Sequence, residues 1–267
     1  MCRTPLTVLL LMLARGRSDE PSGMPGSGLE EVKSLHDLAI AQMHKEWEKT
    51  VQNEELTKIV GKIVRDNIMM IEDKNKDGRT PLMVAATHGE PSILRALVIG
   101  GADVRAIDNE GRTPLHSAML SVGGYGREKA DTLLEAGADV EAKDGLGRTA
   151  MHMASLANDA KVIGLLRKWK ADVSARDKDG WTPMHAAALH GKVDAAAALA
   201  QHGADLEALN SEEISPLQVA VRVGHVGCIK ALVAAGADAD ADYNWLTPRE
   251  LAGVNTTLLR SLMKEEE

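Results

Sequence analysis

The sequence predicts an all-α solenoid of helix-turn-helix units with short β-turn or hairpin tips, preceded by a pair of N-terminal helices. Three observations predict it. A short core recurs, best formed at Asp179-Gly180-Trp181-Thr182-Pro183-Met184-His185-Ala186-Ala187, with its Thr or Ser at Thr80, Thr113, Thr149, Thr182, Ser215 and Thr247. The spacings are 33, 36, 33, 33 and 32 residues, and a fixed period of this size marks a repeat array. Hydrophobic residues make up 44% of the chain, yet aromatics only 2%, with no Phe. A core of Leu, Val, Ile, Ala and Met suits thin layers of short helices.

Residues 1–28 form the first segment. The run Pro5 to Ala14 is apolar, with Arg3 before it and Arg15 and Arg17 after it. A bilayer span takes about 20 residues, so the run is too short to cross one, but it has the size of a signal-peptide apolar region. Asp19 is the first acid, which also suits an organelle transit peptide. Ser18 to Gly28 is rich in Ser, Gly and Pro and reads as a linker.

Residues 29–72 read as two helices that cap the stack. Ser27 and Glu30 fit a capping box, and Val32, Leu35, Leu38, Ala39, Met43 and Trp47 follow at helical spacing. Asn53, Glu54 and Glu55 suit a second start, followed by the stripe Leu56, Ile59, Val60, Ile63, Val64 and Ile68. An end unit needs a polar outer face, which a helix pair supplies. A role in dimerisation or partner binding is the alternative.

Residues 73–267 are the repeat domain, with five units to about residue 241 and a partial sixth as C-terminal cap. In each unit an Asp-x-x-Gly segment makes a turn. The Thr caps a helix, and Pro takes the first helical position, where a missing N–H costs nothing. Gly89, Gly191 and Gly224 end first helices. Second helices carry pairs such as Ile93-Leu94 with Leu97-Val98, and Gly-Ala-Asp closes the unit at Gly101, Gly137, Gly203 and Gly236. One unit cannot bury both faces of its helices, so neighbours stack.

Three places depart from the pattern. Lys170 stands where the closing Gly belongs, at a cost of roughly 1 kcal/mol for a left-handed non-Gly residue. The second unit has an excess of residues around Ser121 to Gly126, which lengthens the loop between its helices. Ala195, Ala196, Ala197 and Ala198 replace bulkier residues in the fourth unit. Less buried area means less stabilisation, at about 25 cal/mol per Å², so the junction of units three and four is expected to be the softest.

This core at a period near 33 resembles the ankyrin repeat. The resemblance implies protein binding through a concave groove, lined by the turn tips and the exposed side of the first helices. Carried onto this chain, the tips include Lys76, Glu110, Leu146, Lys178, Asp179, Trp181 and Tyr243. The first helices contribute Met153 and His190. Trp181 and Leu146 lead this set as bulky apolar residues at expected exposed turns, and Trp is enriched among binding hot spots. Trp169, beside the missing Gly, is expected to pack locally. In the family, the His at His116, His152 and His185 bonds the Thr and nearby backbone. A metal site would need these side chains to converge, whereas equivalent positions in stacked units form a row about 10 Å apart. The family's hydroxylated Asn has no counterpart, because Arg105, Glu141, Ser174, Glu207 and Asp240 hold that place.

The other chemistries are weaker. Net charge is −8, pI about 5.6, and basic and acidic residues interleave, so no nucleic acid is expected as partner. Cys2 and Cys228 make neither a disulfide framework nor a zinc set. Asp73 to Gly78 begins like a calcium loop, but Val84 stands where the bidentate Glu belongs. No nucleophile, zinc-hydrolase or P-loop motif occurs, and residues 29–72 are too few for a catalytic fold. The expectation is a non-catalytic adaptor or scaffold that binds a protein partner, with no cofactor, no metal and no integral membrane span. A regulatory inhibitor that occludes a partner's functional site is the alternative. The compartment is expected to be cytoplasmic, or secretory or organellar through residues 1–17. Neither the partner's identity nor an oligomeric state follows from the pattern.

Overall fold

In a computed structural model of the chain, residues 71–121 and 124–241 are described. They form ten helices in five pairs. These are α1 (Pro81–His88) with α2 (Pro91–Ile99), α3 (Pro114–Met119) with α4 (Gly126–Glu135), and α5 (Ala150–Leu156) with α6 (Ala160–Lys168). The last two pairs are α7 (Pro183–Leu189) with α8 (Val193–Gln201), and α9 (Pro216–Val223) with α10 (Val226–Ala235). Among the described residues there is no strand, and the tips are turns. The expected targeting segment, most of the N-terminal helix pair and the partial sixth unit lie outside the described residues.

The capping chemistry sets each first helix. Thr80, Thr113, Thr182 and Ser215 accept the backbone N–H of the third helical residue, and Pro opens α1, α3, α7 and α9. Ala150 takes the Pro place in α5. First helices pack on first helices of the next unit, and second helices on second helices. The core is therefore a set of rungs. Leu82, Leu115, Met151, Met184 and Leu217 occupy one place in successive units and are at most 1% exposed. Leu97, Leu133, Leu166, Leu199 and Leu232 form the matching row in the second helices, all buried. Burying such a side chain stabilises by about 1.5–3 kcal/mol.

The closing turn repeats as well. Asp103, Asp139, Asp172, Asp205 and Asp238 each accept the backbone N–H two residues on, at 2.8–3.0 Å. Lys170 adopts φ 67°, the left-handed conformation of the glycines it replaces. Asn158 does the same at φ 58°, in the place of the glycine that ends a first helix. Its side chain bridges to the next unit. Oδ1 accepts the Ala195 N–H at 3.0 Å, and Nδ2 donates to Asp194 Oδ2 at 2.9 Å. Asn158 thus caps α8, whose own Lys192 supplies no side-chain cap.

One lysine is buried outright. Lys129 in α4 is fully buried, where other units carry Ile93, Val162, Ala195 and Cys228. Its Nζ donates to the Ala86 carbonyl of the preceding unit at 3.0 Å and to Ser121 Oγ at 2.7 Å. Burial pulls this lysine below its ordinary range, and Glu90 partly offsets that. Cys228, at the equivalent place in α10, donates weakly to the Ala187 carbonyl, and burial pushes its thiol up to about 11.

Candidate partner-binding face

The tips are built from one side chain each. The Oδ1 of Asn75, Asp108, Asp144, Asp177 and Asn210 accepts the backbone N–H groups two and four residues on, at 2.8–3.0 Å. This is the turn that the Asp-x-x-Gly spacing implies. Neighbouring tips are then laced by backbone bonds. Asn109 donates to the Asp77 carbonyl at 3.1 Å, Gly145 to Glu110 at 2.7 Å, Lys178 to Leu146 at 3.0 Å and Ser211 to Asp179 at 3.0 Å. Each tip is thereby tied to the next by a backbone hydrogen bond.

Buried charge locks the middle tips. The Asp144 carboxylate is bound by Arg148, with Nη2 at 2.7 Å and Nε at 2.8 Å. Burial opposes the charge on Asp144, but the Arg148 bonds outweigh it and hold the carboxyl below its ordinary range. Arg112 holds Asp108 through Nε alone, at 2.9 Å from Oδ2.

The candidate residues divide on this frame. Leu146 is 58% exposed, at the tip of the third unit. Lys76, Glu110, Lys178 and Asp179 are exposed at the other tips. Glu110 pairs with Arg112 at 2.8 Å, and Lys178 Nζ donates to the Gly145 carbonyl at 2.6 Å, beside Leu146. His190 is exposed at the end of α7. Two residues are placed differently from the expectation. Met153 is only 5% exposed and belongs to the core, because α5 turns it toward its packed neighbours rather than into an open groove. Trp181 is half-buried and packed on the core, not free at the tip. Its ring lies 5.6 Å from the His185 ring, and its backbone carbonyl accepts from His152 Nε2 at 3.0 Å. Tyr243 lies outside the described residues.

The histidines form a row of inter-unit bolts. In His116, His152 and His185, Nδ1 accepts the backbone N–H of the capping Thr at 3.1–3.2 Å. Nε2–H then donates to a carbonyl of the next unit, at Arg148, Trp181 and Ile214, at 2.9–3.0 Å. Burial lowers all three imidazoles below their ordinary range, and the carbonyl bonds partly offset this. The segment resembling a calcium loop is a tip, in which Asn75 Oδ1 is spent on backbone N–H groups and Lys74 Nζ reaches the Ile107 carbonyl at 2.7 Å.

Sequence reading missed the cross-ties. Lys74, Lys143 and Arg176 each donate to the carbonyl one period ahead, at Ile107, Arg176 and Leu209. Glu72, Glu141 and Glu207 accept the N–H of Asp103, Asp172 and Asp238 at 2.7–2.8 Å. The signal was present as residue types recurring at the repeat period. Ile107, at 54% exposure, interrupts the first series and adds an apolar patch. Leu120 and Tyr125, 42% and 40% exposed, flank the lengthened loop. The loop was legible, but not the exposure of the residues beside it.

The sequence pattern of the family described as ankyrin repeats (3 copies) matches residues 50–144, 125–210 and 151–244. A stretch of 53 residues is 45% identical to Rabankyrin-5 of Homo sapiens, covering 20% of this chain and 4% of that protein. A stretch of 48 residues is 46% identical to Rabankyrin-5 of Mus musculus, covering 18% of this chain and 4% of that protein. These matches therefore span a small fraction of the curated relatives. The fold is similar to the crystal structure of the ankyrin repeat domain of Bcl-3, titled a unique member of the IkappaB protein family. The TM-score is 0.66 at 28% identity, over 79% of this chain and 94% of that one. Among the described residues no helix is long and apolar enough to cross a membrane.

Proposed function

The chain belongs to the ankyrin-repeat family, whose repeats are protein-interaction modules, and on that premise we propose that it is a non-catalytic adaptor or scaffold. It binds a protein partner across its tips and the exposed ends of its first helices. The observation that carries this reading is Leu146. It is 58% exposed, yet its own N–H is held by Asp144 and its carbonyl by Lys178. A bulky apolar side chain on a backbone that cannot relax away from water is a suitable anchor. Its backbone has little conformational entropy left to lose on binding. Exposed Glu110 on one side and Lys178 and Asp179 on the other supply a charged rim that sets register and excludes wrong partners. Trp181 packs on the core, and its carbonyl accepts from His152 of the preceding unit.

The test is affinity capture with the full chain, beside a Leu146→Ala, His190→Ala variant whose helicity and melting are unchanged. We expect a partner retained by the first and lost by the second. The same partner on both baits would contradict this assignment of the surface. Trp181→Ala is unsuitable as the probe, since it would also disturb core packing.

A further inference from the structure

The C-terminal end of α6 departs from every other unit at four successive positions. Arg167 stands where Val98, Leu134, Ala200 and Val233 stand elsewhere. Lys168 replaces Ile99, Glu135, Gln201 and Ala234, and Trp169 replaces Gly100, Ala136, His202 and Ala235. Lys170 replaces Gly101, Gly137, Gly203 and Gly236. All four are exposed, and they lie on the second-helix side, away from the first helices.

Their geometry is that of a presented patch. Trp169 is 37% exposed, but Nε1–H donates to Asp131 Oδ1 of the neighbouring α4 at 3.2 Å, which fixes the ring. Among the described residues, none of the three cations has an ion pair or a side-chain hydrogen bond. The helix dipole accounts for basic residues in the last turn, which covers Arg167 and Lys168. It accounts neither for an indole beside them nor for Lys170. That lysine holds φ 67° where glycine would be unstrained, at a local cost in stability.

We propose that Arg167, Lys168, Trp169 and Lys170 form a second docking surface, independent of the tip face, for a short acidic peptide segment of a partner protein. Carboxylates meet the three cations, and an apolar side chain of the peptide lies on the Trp169 ring. Charge complementarity selects the peptide over extended polyanions. The whole chain carries −8, so a membrane surface or a nucleic acid would be repelled by the rest of the molecule. A short segment meets only the patch.

The test is fluorescence anisotropy with the full chain and a labelled peptide of six glutamates and one phenylalanine. We expect salt-sensitive binding, weakened about tenfold by Arg167→Gln, Lys168→Gln, Lys170→Gly together, a loss in keeping with three exposed charge pairs. Lys170→Gly alone should bind more weakly while melting higher than the parent, and Lys170→Arg should retain binding. A folding defect would move both readouts the same way. Equal binding by the triple variant, or no binding by the parent, would overturn the proposal. So would capture of the parent by phosphatidylserine vesicles but not by the peptide.

Discussion

Lys170 and Asn158 hold the same left-handed backbone under different constraints. Lys170 has no side-chain tie, so Lys170→Gly should stabilise by about 1 kcal/mol, read as a higher denaturant midpoint at unchanged slope. Asn158 caps α8 from the neighbouring unit, so Asn158→Gly should cost about 1 kcal/mol even though the strain is relieved. Equal effects of the two substitutions would contradict this distinction. The sequence displays the Lys170 anomaly, because Gly-Ala-Asp is broken in plain view. It hides Asn158, whose partner lies 37 residues ahead. It hides Lys129 for a related reason. On α4 alone a lysine reads as solvated, and it is the Ala86 carbonyl, the Ser121 hydroxyl and the Glu90 charge from other elements that make its burial tolerable. Met153 is buried where the family resemblance implies an exposed helix position, because its packed neighbours close the site.

At the scale of elements, periodicity made the helices legible. Their N-termini were announced by Thr or Ser and Pro, and the structure starts them there. The cross-ties between units were not, since they run from side chains to backbone carbonyls a full period away. They also bear on stability. Ala195, Ala196 and Ala198 are buried in α8, where they bring less apolar area than Ile, Leu or Val would. Hydrogen exchange should therefore be fastest, among the second helices α4 to α10, at α8 and the α6–α8 contact. Uniform protection across units two to five would remove that expectation. The interrupted lysine series offers a gain. Ile107→Lys should extend the series that Lys74 and Lys143 follow and stabilise by about 0.5 kcal/mol. An unchanged melting midpoint would show that such a tie contributes nothing at this position.

Across the whole molecule the row of bolts links stability to pH. His116, His152 and His185 are held below their ordinary range by burial, so the unfolded chain takes up protons first as pH falls. Stability is full above about pH 6.5, the ordinary imidazole value, and declines as pH descends through the lowered folded values. Asp144, whose carboxyl is also lowered, adds a further loss in stronger acid. Melting at pH 5.5 should thus lie below that at pH 7.5, and equal midpoints would mean that the row carries no linkage. The stack itself was legible because each unit repeats the same local chemistry, while the proposed binding face depends on which tips stay open after stacking. Its central claim is tested most directly by site-specific photocross-linking in lysate, with the reactive group at Leu146 or at Lys230, an exposed position on α10. We expect a partner adduct from position 146 and none from position 230. An adduct from position 230 alone would place the partner on the second-helix side and contradict the tip-face account.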